Sequence, residues 1–173
     1  MANSLGGVQV SFFPSGVPAP LTYVSANQIN AVVPYEIAGS STVQMQIQYQ
    51  GQTSLPFTLQ AASTAPGIFT ITGAGTGQAA VLNDDGLTVN GPMTPEPRGG
   101  ILSLFMTGEG QTTPAGLTGT ITTTSPLPPI TPAAIFPVTV NVDGLLAPVL
   151  FYGEAPGLVS GVMQVNLQDA AIA

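Results

Sequence analysis

The chain contains no cysteine, no histidine and no lysine among its 173 residues, and Arg98 is its single cationic side chain. Without thiols or imidazoles, disulfides, thiolate nucleophiles, the usual haem ligation and ordinary zinc or copper sites are excluded. A nucleophilic triad needs a proton acceptor, and neither His nor Lys is there to serve. Charge is scarce altogether, at 5% of residues, and eight carboxylates against one Arg leave a net charge of −7. Nucleic acid is not an expected partner, because binding needs cations to displace phosphate counterions. Adhesion to anionic membrane surfaces fails on the same ground. No apolar run reaches the ~18 residues of a membrane-crossing helix, so no membrane insertion is expected. MANSLGG lacks the positive start and apolar core of a signal peptide. The expectation is a soluble, exported chain, secreted or at the cell surface. Its uncharged polar surface has little repulsion to keep copies apart, so the expected partner is the chain itself.

What is present is apolar and turn-forming. Gly (21) and Pro (17) exceed a fifth of the residues, yet 44% of the chain is hydrophobic. Disordered chains are poor in apolar residues and rich in charge, the reverse of this one. Strand-like runs bounded by Gly, Pro, Asn and Asp recur at roughly 8–14-residue spacing, the signature of a sandwich or barrel. They fall near 7–13, 20–24, 28–33, 42–49, 54–60 and 67–72, then near 78–82, 100–107, 117–124, 136–142, 147–152 and 161–167. No long segment keeps a 3.6-residue period free of Pro or Gly, so almost no helix is expected. The clearest pair is VQMQIQYQGQTSLPFTLQ (43–60), where apolar and Gln residues alternate up to a turn at Gly51-Gln52. Pro56 suits an edge position there, where no ladder donor is required.

The chain reads as one unit written twice, imperfectly. VQVSFFPSGVPAPLTYV (8–24) matches VTVNVDGLLAPVLFY (138–152): a strand, a Gly turn, then Ala19-Pro20 or Ala147-Pro148 and another strand. Gln28-Ile29-Asn30 then matches Gln164-Val165-Asn166. The hairpin 43–60 occurs only after the first copy, and the run at 98–124 only before the second. Each copy therefore lacks what the other has.

GVPAPLTYVSANQINAVVPYEIAG, STAPGIFT, GQAAVLNDDG, RGGILSLFMTGEGQTTPAG and APGLVSGVMQVN, in this order, resemble the uncharacterised C-terminal domain of large secreted acidobacterial proteins of the Solibacter type. That family is similar to tandem bacterial Ig-like or IPT-like modules. The resemblance implies an extracytoplasmic, non-catalytic module with no established binding residues. The expected fold is thus all-β: two Ig-like β-sandwich units, incomplete and completed by strands from neighbouring chains. The first would span 1–72, a connecting segment 73–97, and the second 98–173.

Candidate sites are few. Paired carboxylates can hydrolyse glycosides, and Asp84 or Asp85 with Glu109, or Glu36 with Glu154, are the pairs available; no motif surrounds them, and solvated turns are favoured. Asn83, Asp84, Asp85 and Asn90 offer hard oxygen ligands for calcium, but the loop spacing is wrong and Asp-Gly is a hairpin signal. TGEGQTTPAG (107–116) lacks the Lys of a phosphate loop, leaving a turn or an inter-unit contact. Tyr23, Tyr35, Tyr49 and Tyr152 would serve as a sugar-stacking platform or as packing. The Gln and Thr faces of 40–52 and 118–126 are ordinary solvated faces or stacking ladders. The assembly interface is expected at Val43, Met45, Ile47, Tyr49, Leu55, Phe57, Leu59, Val162 and Val165. No cofactor and no catalysis are expected. Self-assembly into a filament or oligomer is the first functional reading; a monomeric module binding carbohydrate, such as cell-surface polysaccharide, is the second.

Overall fold

A computed structural model describes residues 1–123, 133–134 and 137–169. The chain is all-β, with several antiparallel sheets and no helix beyond a 3-10 turn at Tyr35–Ile37 among the described residues. The first half holds β1 (Val8–Phe13), β2 (Val17–Pro18), β3 (Leu21–Val24), β4 (Ile29–Ala31), β5 (Thr42–Tyr49), β6 (Gln52–Thr53) and β7 (Phe57–Gln60). The second holds β8 (Gly67–Ile68), β9 (Val81–Leu82), β10 (Ile101–Thr107), β11 (Thr112–Thr113) and β12 (Ala133–Ala134). It closes with β13 (Val140–Val142), β14 (Leu145–Ala147), β15 (Val149–Glu154) and β16 (Val162–Gln168). No described helix is long and apolar enough to cross a membrane.

In the first half β1 lies between β2 and β5, and β5 pairs on its far side with β6 and β7. The period-2 alternation of β1 and β5 sets one apolar face. Register places Val8, Val10 and Phe12 opposite Tyr49, Ile47 and Met45, and Val43 and Met45 opposite Leu59 and Phe57. The β3–β4 hairpin covers the β1 side of that face, so Val10, Phe12, Leu21 and Val43 form a buried cluster. The β5–β6 turn sits at Gln50-Gly51, both at positive φ, one residue earlier than the expected Gly51-Gln52. Such left-handed pairs match the twist of a tight hairpin.

In the second half β16 is central, between β15 and β10, and β10 pairs further with β8 and β9. Its core gathers Val81, Leu104, Met106, Ala147, Met163, Val165 and Leu167. This pairing moves the expected boundaries. Residues 67–68 bond to β10, so they belong to the second sheet, not to a first unit ending at 72. The segment expected as a connector, 73–97, contributes β9 to that same sheet. The strands of the first sheet end at Gln60.

The two copies pair in the same register. β3–β4 pairs Leu21 with Ala31, shifts by a bulge, then pairs Tyr23 with Asn30 and Val24 with Ile29. β15–β16 pairs Val149 with Leu167, shifts by a bulge, then pairs Phe151 with Asn166 and Tyr152 with Val165. β1–β2 and β13–β14 are the matching hairpins ahead of them, each leading to a buried alanine, Ala19 or Ala147. A bulge inserted at the same step of both hairpins is a backbone feature that chance similarity would not reproduce.

Candidate functional site

Strand equivalence shows what one copy has and the other does not. In the second copy β10 lies along β16, and Val165 and Leu167 are 0% exposed beneath it. Their equivalents on β4 are Ile29, half-buried, and Ala31, exposed. Among the described residues β4 pairs with β3 alone. The apolar face under this open edge is correspondingly bare: Met45 and Ile47 are half-buried, while Tyr49 and Phe57 stand 50% and 61% exposed. A groove of about 420 Å³ runs there, floored by Val10, Met45 and Ile47 and walled by Ile29 and Ala31. The β3–β4 turn, Ser25 to Gln28, closes one end of it, and the β4 edge beside it is the equivalent of the β16 edge that pairs with β10. The second copy is open in the complementary layer, since β13 pairs only with β14 among the described residues.

The expected interface residues divide accordingly. Met45, Ile47, Tyr49, Phe57 and Leu59 share the apolar face of the first sheet, and Leu55, between β6 and β7, is 88% exposed. Val43 and Val165 are buried in the chain's own cores, and Val162, half-buried, pairs with Thr107 of β10. Ile29 and Ala31 were not among the expected residues; their signal lay in the match to Val165 and Leu167. The outer face of β5 carries Gln44, which donates to Thr58 Oγ1 at 2.8 Å across the exposed β5–β7 pair. The Thr face at 118–126 lies partly outside the described residues.

A second constellation forms where the halves meet. Tyr35, on the 3-10 turn, has its Oη 2.9 Å from Glu109 Oε1 and 3.0 Å from Glu154 Oε1. Thr122 Oγ1 donates to Glu154 Oε2 at 2.8 Å. The Tyr35 backbone amide donates to Thr118 Oγ1, and Gln111 Nε2 donates to the Tyr35 carbonyl, each at 3.0 Å. Gly116 permits the approach, because a Cβ there would overlap the Tyr35 ring. Gly108 and Gly110, both at positive φ, let the 107–116 loop press on the backbone of Ala65 and Ser63. This loop is an inter-unit contact.

Glu109 and Glu154 are 4% and 3% exposed. Burial pushes Glu109 up to about 7, opposed by the Tyr35 hydrogen bond and helped by the charge of Glu154. Tyr35 is raised as well, by burial first and then by Glu109 and Glu154. An acid near neutrality beside a second carboxylate is the pairing used in glycoside hydrolysis. Here both groups are sealed from solvent, so a sugar ring cannot reach them in this conformation. The pair is also not one expected from sequence: Glu109 meets Glu154, whereas Glu36 accepts from Thr118 Oγ1 at 2.7 Å on the exposed rim.

The calcium candidates form a closed turn. Asp85 Oδ1 accepts from the amides of Leu87 and Thr88 at 2.9 and 2.8 Å, and Oδ2 accepts from Thr88 Oγ1. These bonds, the Thr88 hydroxyl foremost, hold Asp85 below the usual carboxylate range. Asn83 Oδ1 accepts from Asn90 Nδ2 at 2.9 Å, and Asn83 Nδ2 donates to the Thr94 carbonyl at 3.0 Å. Asp84 contributes its amide to Glu96 Oε2 at 3.0 Å. Among the described residues no three acidic, His or Cys groups are placed to hold a metal. The four tyrosines also disperse: Tyr23 and Tyr49 are exposed on separate strands, Tyr152 packs on the second core and Tyr35 holds the seam. No family model, curated protein or solved structure matches the chain.

Proposed function

We propose that the chain is an extracellular structural protein that assembles with copies of itself by β-strand complementation. One observation carries this reading: among the described residues, the edge and groove at β4 are open where the second copy of the same unit is closed by β10. An unpaired edge over a half-covered apolar face is a standing cost, and a strand added to the edge removes it. Natural edges are commonly blunted by charge, lysine above all. Here β4 and its flanks read Gln28-Ile29-Asn30-Ala31-Val32, uncharged, in a chain without lysine. Nothing on this edge opposes pairing with an identical chain, so the second copy is the occupant we assign.

The register of such a strand follows from the internal repeat. β10 meets β16 with Leu102 opposite Leu167, Ser103 opposite Asn166 and Leu104 opposite Val165. Transferred to β4, the incoming strand sets apolar residues opposite Ala31 and Ile29 and a polar one opposite Asn30. Its apolar side chains enter the groove over Met45 and Ile47. The contact is heterologous, and repeated head to tail it gives a filament unless the rotation closes a ring.

The reading is tested by placing charge on the edge. Ala31 is solvent-exposed in the single chain, so Ala31→Lys is expected to leave the fold unchanged, with the parent's Tm under dilute, monomeric conditions, while reducing the assembly to monomers in sedimentation velocity. Unaltered assembly by a folded Ala31→Lys chain would show that β4 is not the acceptor.

A further inference from the structure

The buried trio at the seam sets a limit on how many protons are missing from it. Tyr35 Oη lies within hydrogen-bond distance of both Glu109 Oε1 and Glu154 Oε1, and a phenol has one hydrogen to give. With both carboxylates ionised, one contact would set two oxygen acceptors against each other in a site shielded from water. An unmet buried charge of that kind is costly. Glu154 has a further donor in Thr122 on its second oxygen. Glu109 does not: its Oε2 is buried without a hydrogen-bond partner among the described residues. A missing hydrogen is least costly to supply at Glu109.

The groups around Glu109 do not supply positive charge in its place. Tyr35 faces it from the 3-10 turn and Glu154 from β15. The Ser63–Ala65 backbone passes the flanking Gly108 and Gly110. Glu36 stands one step outward through Thr118. The N-terminal ammonium of Met1 lies along the same seam, where it donates to the Gly119 carbonyl. Arg98 precedes β10, whose seven residues separate it from this end of the sheet.

We propose that Glu109 is protonated in the folded chain, that it donates to Tyr35 Oη while Tyr35 donates to Glu154, and that loss of this proton to water loosens the clasp between the halves. The chain of donors runs Glu109 to Tyr35 to Glu154, with Thr122 closing its far end. It joins the 3-10 turn of the first half to the 107–116 loop and β15 of the second. Ionisation leaves two buried negative charges with one hydroxyl between them. The first half, bonded to the second here through Tyr35, Thr118 and Gln111, loses its central contact. The device is separate from the β4 groove and does not depend on assembly.

The direction with pH follows from linkage. Glu109 rises from an ordinary 4.5 to about 7 on folding. The folded state therefore binds the extra proton between these values, and stability falls as pH rises from the lower to the upper. The stabilisation is fully present below the unfolded value and is lost above the folded one. A rise in this direction multiplies the unfolding equilibrium constant by on the order of a hundredfold or more across the window. The expected result is a carboxyl ¹³C resonance of Glu109, followed by NMR in the intact chain, that titrates near neutrality. Glu109→Gln keeps a neutral donor at this position, so Tm in that variant is expected to vary much less than in the parent between about pH 5 and 8. A Glu109 midpoint in the ordinary carboxylate range overturns the proposal, and so does a folded Glu109→Gln chain that keeps the parent's full slope. Should that variant fail to fold, the NMR midpoint of the unaltered chain decides alone.

Discussion

Ile29 and Val165 occupy one strand position in the two copies, paired with Val24 and Tyr152 respectively. Truncating each to alanine therefore separates a contact made within the chain from one made between chains. Val165 is 0% exposed. Removing two carbons there loses about 0.8 kcal/mol of transfer free energy each and adds a cavity term, for a total of about 2–3 kcal/mol. Ile29 is half-buried in the single chain. A fully buried Ile→Ala costs about 2–5 kcal/mol, so the half-covered position should cost about 1–2 kcal/mol in a monomer. If a neighbour's strand covers it, the remaining half appears as weakened association, about tenfold for each 1.4 kcal/mol. Urea denaturation at low and high protein concentration distinguishes the two. The Val165→Ala penalty should be the same at both concentrations, and the Ile29→Ala penalty should grow with concentration. An Ile29→Ala penalty that ignores concentration, with association unchanged, would refute the reasoning.

Two further outcomes follow from the same geometry. Gly108 sits at φ +81, and a Cβ there would overlap the Ala65 carbonyl; Gly108→Ala should destabilise the chain by roughly 2–4 kcal/mol in chemical denaturation, unlike Gly144→Ala, which has open space and pays for its backbone conformation alone. Trypsin can cut after Arg98, in the loop between β9 and β10, and both β8 and β9 remain bonded to β10. The nicked halves should co-elute in native gel filtration and part only in denaturant; prompt separation would show that these short pairings do not hold.

Legibility in the sequence followed the strength of the local pattern. β5 was readable to its exact ends, because the alternation of Val43 to Tyr49 with Gln residues admits one register and one buried face. β10 and β16 were readable within a residue for the same reason. The two-residue strands β2, β6, β8 and β9 carry too little pattern; their existence is set by the partner edge they reach, not by their own residues. That is why the boundary at 72/73 shifted. The strand expected at 117–124 is, among the described residues, a turn at Leu117–Thr120 and a single bridge from Ile121 to Val159. Gly119 takes positive φ beside Pro20, a seam contact that no local pattern announces.

The carboxylate pair was illegible for a related reason. Glu109 and Glu154 share no motif, and their meeting depends on the β10–β16–β15 register, which sets Met106 and Glu154 both opposite Met163. Glu109 then lies three residues beyond Met106. Only once both registers are known does this approach become predictable, and the sequence pairings of Glu36 or Asp85 were chosen without them. The open groove was nearer to the surface of the sequence. The match of Gln28-Ile29-Asn30 to Gln164-Val165-Asn166 carries its signal, since the run at 98–124 precedes one copy and not the other, although the expected interface residues did not include Ile29 or Ala31.

The central claim is that the edge at β4 is closed by another copy of the chain, and mass in solution is its most direct measure. Multi-angle light scattering over a dilution series of the unaltered chain should give masses above that of one chain, 17.4 kDa, that decline on dilution. The same series on Ala31→Lys should return a single chain throughout. A mass of one chain at every concentration, accompanied by one sharp cooperative melt, would contradict the account.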